Sequence, residues 1–206
     1  MPKNPVAVKT IVTTKIASAI AENYNVQLID VLTGFKFIGE QIKLFEEAKA
    51  NNGGKLDGSK GAYEYEFGYE ESYGCLAGTH ARDKDAVVAS MLICEMASFY
   101  HLQGKSLLDV LSELYDEFGV YEHQMLNVMF EGEKGMYAMR DLMAKLRADF
   151  PKQFGGKKTV RFSDYGARES LDVVTGEKTA ITLPQSEVLV FDLEDNASVI
   201  VRPSGT

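Results

Sequence analysis

The chain has 206 residues, 45% hydrophobic and 25% charged, with a formal net charge of −8. That length supplies a core for one large domain or two small ones, and the composition excludes a mainly disordered chain. The acidic balance argues against general affinity for nucleic acid or an anionic membrane, so an anionic ligand would need a local basic pocket.

Val6 to Val12 is apolar and β-branched and predicts a short buried strand. Thr13 or Thr14 then caps a helix that carries Ile16, Ala17, Ile20, Ala21 and Tyr24 at helical spacing. Val26 to Leu32 is again strand-like, Gly34 breaks it, and a second helix follows with Ile38, Ile42 and Phe45 on one face. "NNGG", Asn51 to Gly54, stops that helix. Strand–helix–strand–helix order implies a parallel pair and an α/β layer.

Ala62 to Phe67 alternates, with Tyr63, Tyr65 and Phe67 on one face and Glu64 and Glu66 on the other. Lys84 to Tyr100 is apolar nearly all round and predicts a buried helix. "KSLLDVLSELYDEFG" is an amphipathic helix with Ser106 as cap and Asp109 in the capping-box position. Leu107, Leu111, Leu114 and Phe118 form its stripe, and Gly119 ends it.

A domain boundary is expected near Gly119. Beyond it the pattern predicts a strand (Gln124 to Phe130), a helix (Lys134 to Ala148) and a turn at "PKQFGGKK". Strands are expected at Lys158 to Phe162, Val188 to Asp192 and Ser198 to Val201, which together make a small α+β domain. Residues 163 to 187 read as a turn-rich insertion with a hairpin. Cys75 and Cys94 make no CxxC and pair with no metal-spaced His, so structural zinc is not expected and a reduced, cytoplasmic protein fits. No apolar run is long enough to span a bilayer, and "MPKNPVAVKT" has no signal-peptide core.

Three stretches offer chemistry. "FGYEESYG" places Glu70, Glu71 and Ser72 between glycines and aromatics. Adjacent side chains diverge, so Glu70 and Glu71 are poorly placed to act as an acid pair on one glycosidic bond. Glu70 and Ser72, two apart, can share a face, and an acceptor-only carboxylate beside a hydroxyl suits vicinal sugar hydroxyls as well as it suits a plain polar turn. The interposed aromatics do not fit a calcium loop. "THARDKD" gathers His80, Arg82 and Lys84 ahead of a helix. It reads as an anion site at a helix N-terminus or as a solvated cap formed by Asp83 or Asp85. "VIVRPSGT" runs a strand into Arg202, Ser204, Gly205 and Thr206, good parts for a phosphate cradle.

Together and in this order, these stretches resemble the α-D-phosphohexomutase superfamily, in its bacterial phosphoglucomutase/phosphomannomutase branch. The resemblance runs through "VKTIVTT", "LTGFKFIGE", "FGYEESYG", "HARDKDAVV", "FGGKK" and "RPSGT", nearly the whole chain. It implies two of the family's four domains. Residues 5–119 would be the third, a mixed α/β three-layer domain that recognises sugar. Residues 120–206 would be an incomplete, truncated fourth, a small α+β domain similar to the TATA-box-binding-protein fold that grips phosphate. It implies that Glu70 and Ser72 contact the sugar's 3- and 4-hydroxyls, with Glu71 a bystander. Thr33, Gly34 and Lys36 would line the sugar site, His80 and Lys84 would reach the substrate, and Arg202, Ser204, Gly205 and Thr206 would hold the phosphate that is not transferred.

The activity implied is interconversion of hexose 1-phosphate and hexose 6-phosphate through a phosphoserine and a bisphosphate intermediate. Magnesium would offset developing charge in the parent enzyme, with glucose 1,6-bisphosphate as activator. The family's "TASHNP"-like serine segment and "DGDxDR"-like metal segment do not occur here; the only "DG" is Asp57-Gly58, followed by Ser59. The resemblance therefore predicts a fragment that carries recognition without a catalytic serine or metal ligands, inactive alone, with no cofactor of its own. Its partners would be the hexose phosphate and the N-terminal domains of the same polypeptide, with no nucleic acid and no membrane. The alternative reading is a non-catalytic sugar-phosphate-binding module.

Overall fold

A computed structural model describes residues 2–51 and 63–203. The chain divides into two compact units, Met1–Gln124 and Met125–Thr206.

The first unit is built on a mixed sheet. β1 (Pro5–Thr10) pairs in parallel with β2 (Gln27–Val31) on one side and with β3 (Glu64–Tyr69) on the other, and β4 (Cys75–Ala77) adds antiparallel to β3, for the order β2-β1-β3-β4. α1 (Ile16–Asn23) joins β1 to β2, and α2 (Phe35–Asn51) leads back past β1 to β3. Two crossovers that run in opposite directions put their helices on opposite faces when both are right-handed, as such units almost always are. The face under α2 holds the core: Val6, Val8, Phe35, Ile38, Ile42, Phe45, Tyr65 and Leu76, all buried. Strand order reverses at β1, and open α/β sheets bind ligands beyond the C-terminal ends of the strands at such a point, here the ends of β1 and β3. Thr10 and Glu70 stand at that edge.

Three expectations for this unit need correction. First, α1 takes no threonine cap: Lys15 is its helical N-cap and makes no side-chain cap bond. Thr14 Oγ1 only accepts from Ile16 N at 3.4 Å, while Thr13 Oγ1 turns to Thr10 Oγ1 at 2.7 Å. Second, Phe67 does not share the face of Tyr65. A bulge shifts the β1/β3 register, from Val6↔Tyr65 to Ala7↔Phe67, so Glu66 has no partner in β1 and Gly68 takes the next buried position. A Cβ on Gly68 would overlap the Tyr65 hydroxyl, which crosses there to donate to Leu76 O at 3.0 Å.

Third, α3 (Ala86–His101) buries no residue. It packs against β4 and α4 (Leu107–Phe118), and its remaining faces, with Val87, Met91 and Phe99, are exposed. Asn52 to Gly54 of the predicted helix stop, and Ala62 of the predicted strand, lie outside the described residues. The capping box forms as expected: Asp109 N donates to Ser106 Oγ at 3.2 Å and Ser106 N donates to Asp109 Oδ2 at 2.7 Å. Gly119 closes α4 with φ +90°.

The second unit packs α5 (Gly132–Ala148) on an antiparallel sheet of β5 (Gln153–Phe154), β6 (Lys157–Asp164), β7 (Glu169–Asp172), β8 (Lys178–Ala180), β9 (Leu189–Leu193) and β10 (Ser198–Val201). The order is β10-β9-β6-β7-β8, with β5 also on β6. Met143 of α5 joins Leu189, Phe191 and Leu193 in the core, where Phe162 stacks between Phe150 and Phe191 at 4.7 and 5.2 Å. The unassigned residues 163 to 187 contain the β7/β8 hairpin. Gln124 to Phe130 forms no strand: no neighbouring strand takes up its backbone, and Met125, Leu126, Val128 and Met129 are exposed.

Candidate functional site

The five residues Glu70 to Gly74 link β3 to β4 at the C-terminal edge of the first sheet. Glu70 N donates to Gly74 O at 2.9 Å and closes the loop. Tyr73 takes φ +63° at the tip and is fully exposed. The closure turns the Glu70 side chain inward, where it is buried. Its Oε1 accepts from Ser72 Oγ at 2.7 Å and from Lys84 Nζ at 2.5 Å. Three predicted site residues, Glu70, Ser72 and Lys84, therefore meet at one carboxylate oxygen. The hydrogen bond it donates to Glu70 holds the Lys84 ammonium above the ordinary lysine value, against partial desolvation.

Gly74 makes the arrangement sterically feasible. A Cβ on it would overlap Cδ of Lys84, whose stem crosses the loop at that point. Sequence reasoning missed this role, although the glycine that closes G-x-E-x-S-x-G was its signal. Lys84 Nζ also stands 5.9 Å from the centre of the Phe35 ring, the first residue of α2. The turn carrying Thr33 and Gly34 enters α2 just before that ring, with Gly34 at φ +111°, and Lys36 is exposed just after it.

The "THARDKD" residues do not converge on an anion. Each basic side chain takes its own carboxylate: His80 Nε2 pairs with Asp85 Oδ2 at 2.8 Å, Arg82 Nη2 with both oxygens of Glu46 at 2.7 and 2.8 Å, and Lys84 with Glu70. Asp85 Oδ1 accepts from Val87 N and Val88 N at 2.8 and 3.1 Å, so the α3 N-terminus is capped from within. The bond from His80, followed by that from Val88 N, holds the Asp85 carboxyl below the usual carboxylate range. Gly39 of α2 brings the backbone of this segment close: a Cβ there would lie 2.6 Å from Arg82 O.

Glu71 points the other way. Its Oε2 accepts from the buried Thr10 Oγ1 at 2.9 Å. Just before the loop, Tyr69 pairs in register with Lys9, which pairs with Asp30 on β2. Burial, then the Asp30 charge, push the Tyr69 hydroxyl up to about 12, while Lys9 Nζ reaches Asp30 Oδ1 at 2.8 Å. Arg202, exposed, follows β10 in the second unit. Ser204, Gly205 and Thr206 lie outside the described residues.

The model of the family phosphoglucomutase/phosphomannomutase, alpha/beta/alpha domain III, matches residues 1–118, more than half of the chain. The chain belongs to the phosphoglucomutase/phosphomannomutase family.

It is 32% identical to a phosphoglucomutase of Staphylococcus haemolyticus (strain JCSC1435) over 206 residues, all of this chain and 35% of that protein. It is 33% identical to a phosphoglucomutase of Staphylococcus aureus (strain bovine RF122 / ET3-1) over 199 residues, 97% of this chain and 33% of that one. A crystal structure of a phosphomannomutase candidate from Thermus thermophilus aligns with 98% of this chain and 33% of its own, at 15% identity and a TM-score of 0.48. The chain spans about a third of the length of the curated relatives it matches.

Among the described residues, no three His, Cys, Asp or Glu side chains converge to hold a metal ion. Among the same residues, no helix is long and apolar enough to cross a membrane.

Proposed function

We propose that this chain is the substrate-recognition portion of a phosphohexomutase that interconverts hexose 1-phosphate and hexose 6-phosphate in the cytoplasm, and that Glu70, Ser72 and Lys84 read the sugar hydroxyls. The observation that carries the reading is the meeting of Ser72 and Lys84 on Oε1 of a buried carboxylate, in a loop at the C-terminal edge of the sheet. A carboxylate has about four lone-pair sites, so Glu70 keeps capacity to accept from a sugar hydroxyl through Oε2. Ser72 both donates and accepts, and Lys84 donates, so the three can satisfy vicinal hydroxyls in either orientation of the sugar. Orientation matters because a bisphosphate intermediate turns over between the two phosphoryl transfers. Thr33, Gly34, Lys36 and His80 would border the sugar, and Arg202 with Ser204, Gly205 and Thr206 would hold the phosphate not in transfer. Guanidinium suits that grip because it donates two parallel bonds to phosphate.

On this reading the phosphoserine and the magnesium of the parent enzyme lie in parts of the polypeptide outside this chain, and the ion would offset charge on the phosphoryl group in transfer. The units Met1–Gln124 and Met125–Thr206 are proposed as the sugar-recognition and phosphate-gripping domains that the resemblance sets at residues 5–119 and 120–206.

The test is an NMR titration of the 206-residue chain with glucose 6-phosphate. Shifts centred on Glu70, Ser72 and Lys84 are expected, and a response confined to other residues, or none at all, would sink the reading. The same protein with glucose 1-phosphate, magnesium and a trace of glucose 1,6-bisphosphate should make no glucose 6-phosphate above a protein-free control.

A further inference from the structure

Glu71 is the residue that the resemblance leaves without a role, yet the structure ties it into the core. Thr10 ends β1, is fully buried, and bonds two groups through one hydroxyl: Glu71 Oε2 at 2.9 Å and Thr13 Oγ1 at 2.7 Å. The ionised carboxylate can only accept, so Thr10 gives it its proton and accepts in turn from Thr13. An O–H donor to a carboxylate is among the stronger hydrogen bonds, and chained donors reinforce one another. The tie joins residues 61 apart in sequence. Its anchor is well held: β1 pairs on both sides, with β2 and β3, and its preceding side chain, Lys9, is buried and ion-paired to Asp30. The next residue after Glu70 is therefore fastened to the most buried strand of the unit, while Glu70 itself faces Ser72 and Lys84.

We propose that Thr10 and Glu71, backed by Thr13, are positioning residues that hold the Glu70–Ser72 loop in its hydroxyl-reading geometry. The inference rests on the sugar-reading role proposed above for Glu70. A five-residue loop with a fully exposed tip has one internal backbone bond across its base, Glu70 N to Gly74 O. That bond sets the ends of the loop but does not by itself fix the peptide between Glu70 and Glu71, whose rotation would carry the Glu70 carboxylate away from Lys84. Fixing Glu71 Oε2 to the end of β1 removes that freedom before ligand arrives, and preorganised contacts bind more tightly than contacts that must first be ordered.

The test uses T10V, T10S, E70Q and the double variant T10V/E70Q in the 206-residue chain, with two readouts. In titrations with glucose 6-phosphate, T10V should weaken affinity about tenfold, as expected for losing one charge-assisted bond. T10S, which keeps the hydroxyl, should stay within about twofold of the parent chain, and T10V/E70Q should bind no more weakly than E70Q alone, because coupled residues are not additive. The second readout is the alkaline titration of the Lys84 ammonium by NMR. T10V removes no charge, so the Lys84 midpoint should fall toward the ordinary lysine value only if Glu70 has drifted from it.

An additive double variant together with an unmoved Lys84 midpoint would overturn the positioning role. If E70Q alone leaves affinity unchanged, the sugar-reading proposal fails, and the Lys84 titration still decides whether Thr10 positions Glu70. Should T10V not fold, E71A against E71Q repeats the affinity comparison at a less buried position: Gln retains an acceptor for Thr10 and should bind like the parent, and equal losses from the two would overturn the inference.

Discussion

Lys84 and Glu70 form an ion pair with unequal exposure: the lysine side chain is 44% exposed and the glutamate 6%. The buried partner depends on the exposed one. Lys84→Met leaves a buried carboxylate without its cation, and we expect a loss of about 1–2 kcal/mol in urea unfolding, between the values for exposed and for buried pairs. The ammonium is held above its ordinary value, so its contribution to stability is complete below the unfolded lysine value, about pH 10.4, and is lost as pH rises through the higher folded value. A stability profile unchanged by Lys84→Met on the alkaline side would remove the pair from the account.

In the full-length phosphohexomutase proposed above, Glu70→Gln should lower catalytic efficiency about tenfold to a hundredfold, the worth of a charged hydrogen bond to a sugar hydroxyl. Glu71→Gln should do far less, because a carboxamide oxygen still accepts from Thr10. Steady-state kinetics of the two variants side by side check this, and equal losses would contradict it.

Much of this site was legible in the sequence, and the illegible part has a common cause. The pairing of Glu70 with Ser72, the Ser106–Asp109 capping box and the α2 stripe of Ile38, Ile42 and Phe45 all lie within a few residues, where period and chain geometry suffice. The Thr10–Glu71 tie and the fit of Lys84 over Gly74 depend on which strands become neighbours, and no local pattern carries that. Burial of α3 was read from its apolar composition, but composition states what a helix could bury and not what packs against it. Gln124 to Phe130 has strand-like residues without a paired neighbour, and a strand is a property of two segments.

Arg202→Ala in the parent should weaken phosphosugar binding more than Arg202→Lys, and Lys should not restore it fully. Guanidinium makes two parallel bonds to phosphate where ammonium acts as a point charge. Isothermal titration with glucose 6-phosphate compares the three proteins. Full restoration by Lys would mean that charge alone matters at this position.

At the start of α3, Asp85 should act as an acid-sensitive cap. Its carboxyl is held low by His80 and the helix amides, so its contribution is present above the unfolded aspartate value and is lost as pH falls through the lower folded one. Hydrogen exchange at Val87 and Val88 reports it directly. Both amides should exchange faster in Asp85→Ala, and Asp85→Asn, which still offers an oxygen, should protect them better than Ala. Identical exchange in the two variants would show that the amides are protected without the cap.

The unpaired Glu66 in β3 has a consequence at the far end of its strand. Side chains on an extended chain alternate, so one additional residue changes the parity of everything downstream until the next irregularity. Were Glu66 to pair with Ala7 in an uninterrupted ladder, Phe67 would turn inward and the inward place of Glu70 would pass to Glu71. Two neighbouring carboxylates with opposite duties, one turned to Lys84 and one to Thr10, are thus told apart by a single residue of phase set four positions earlier.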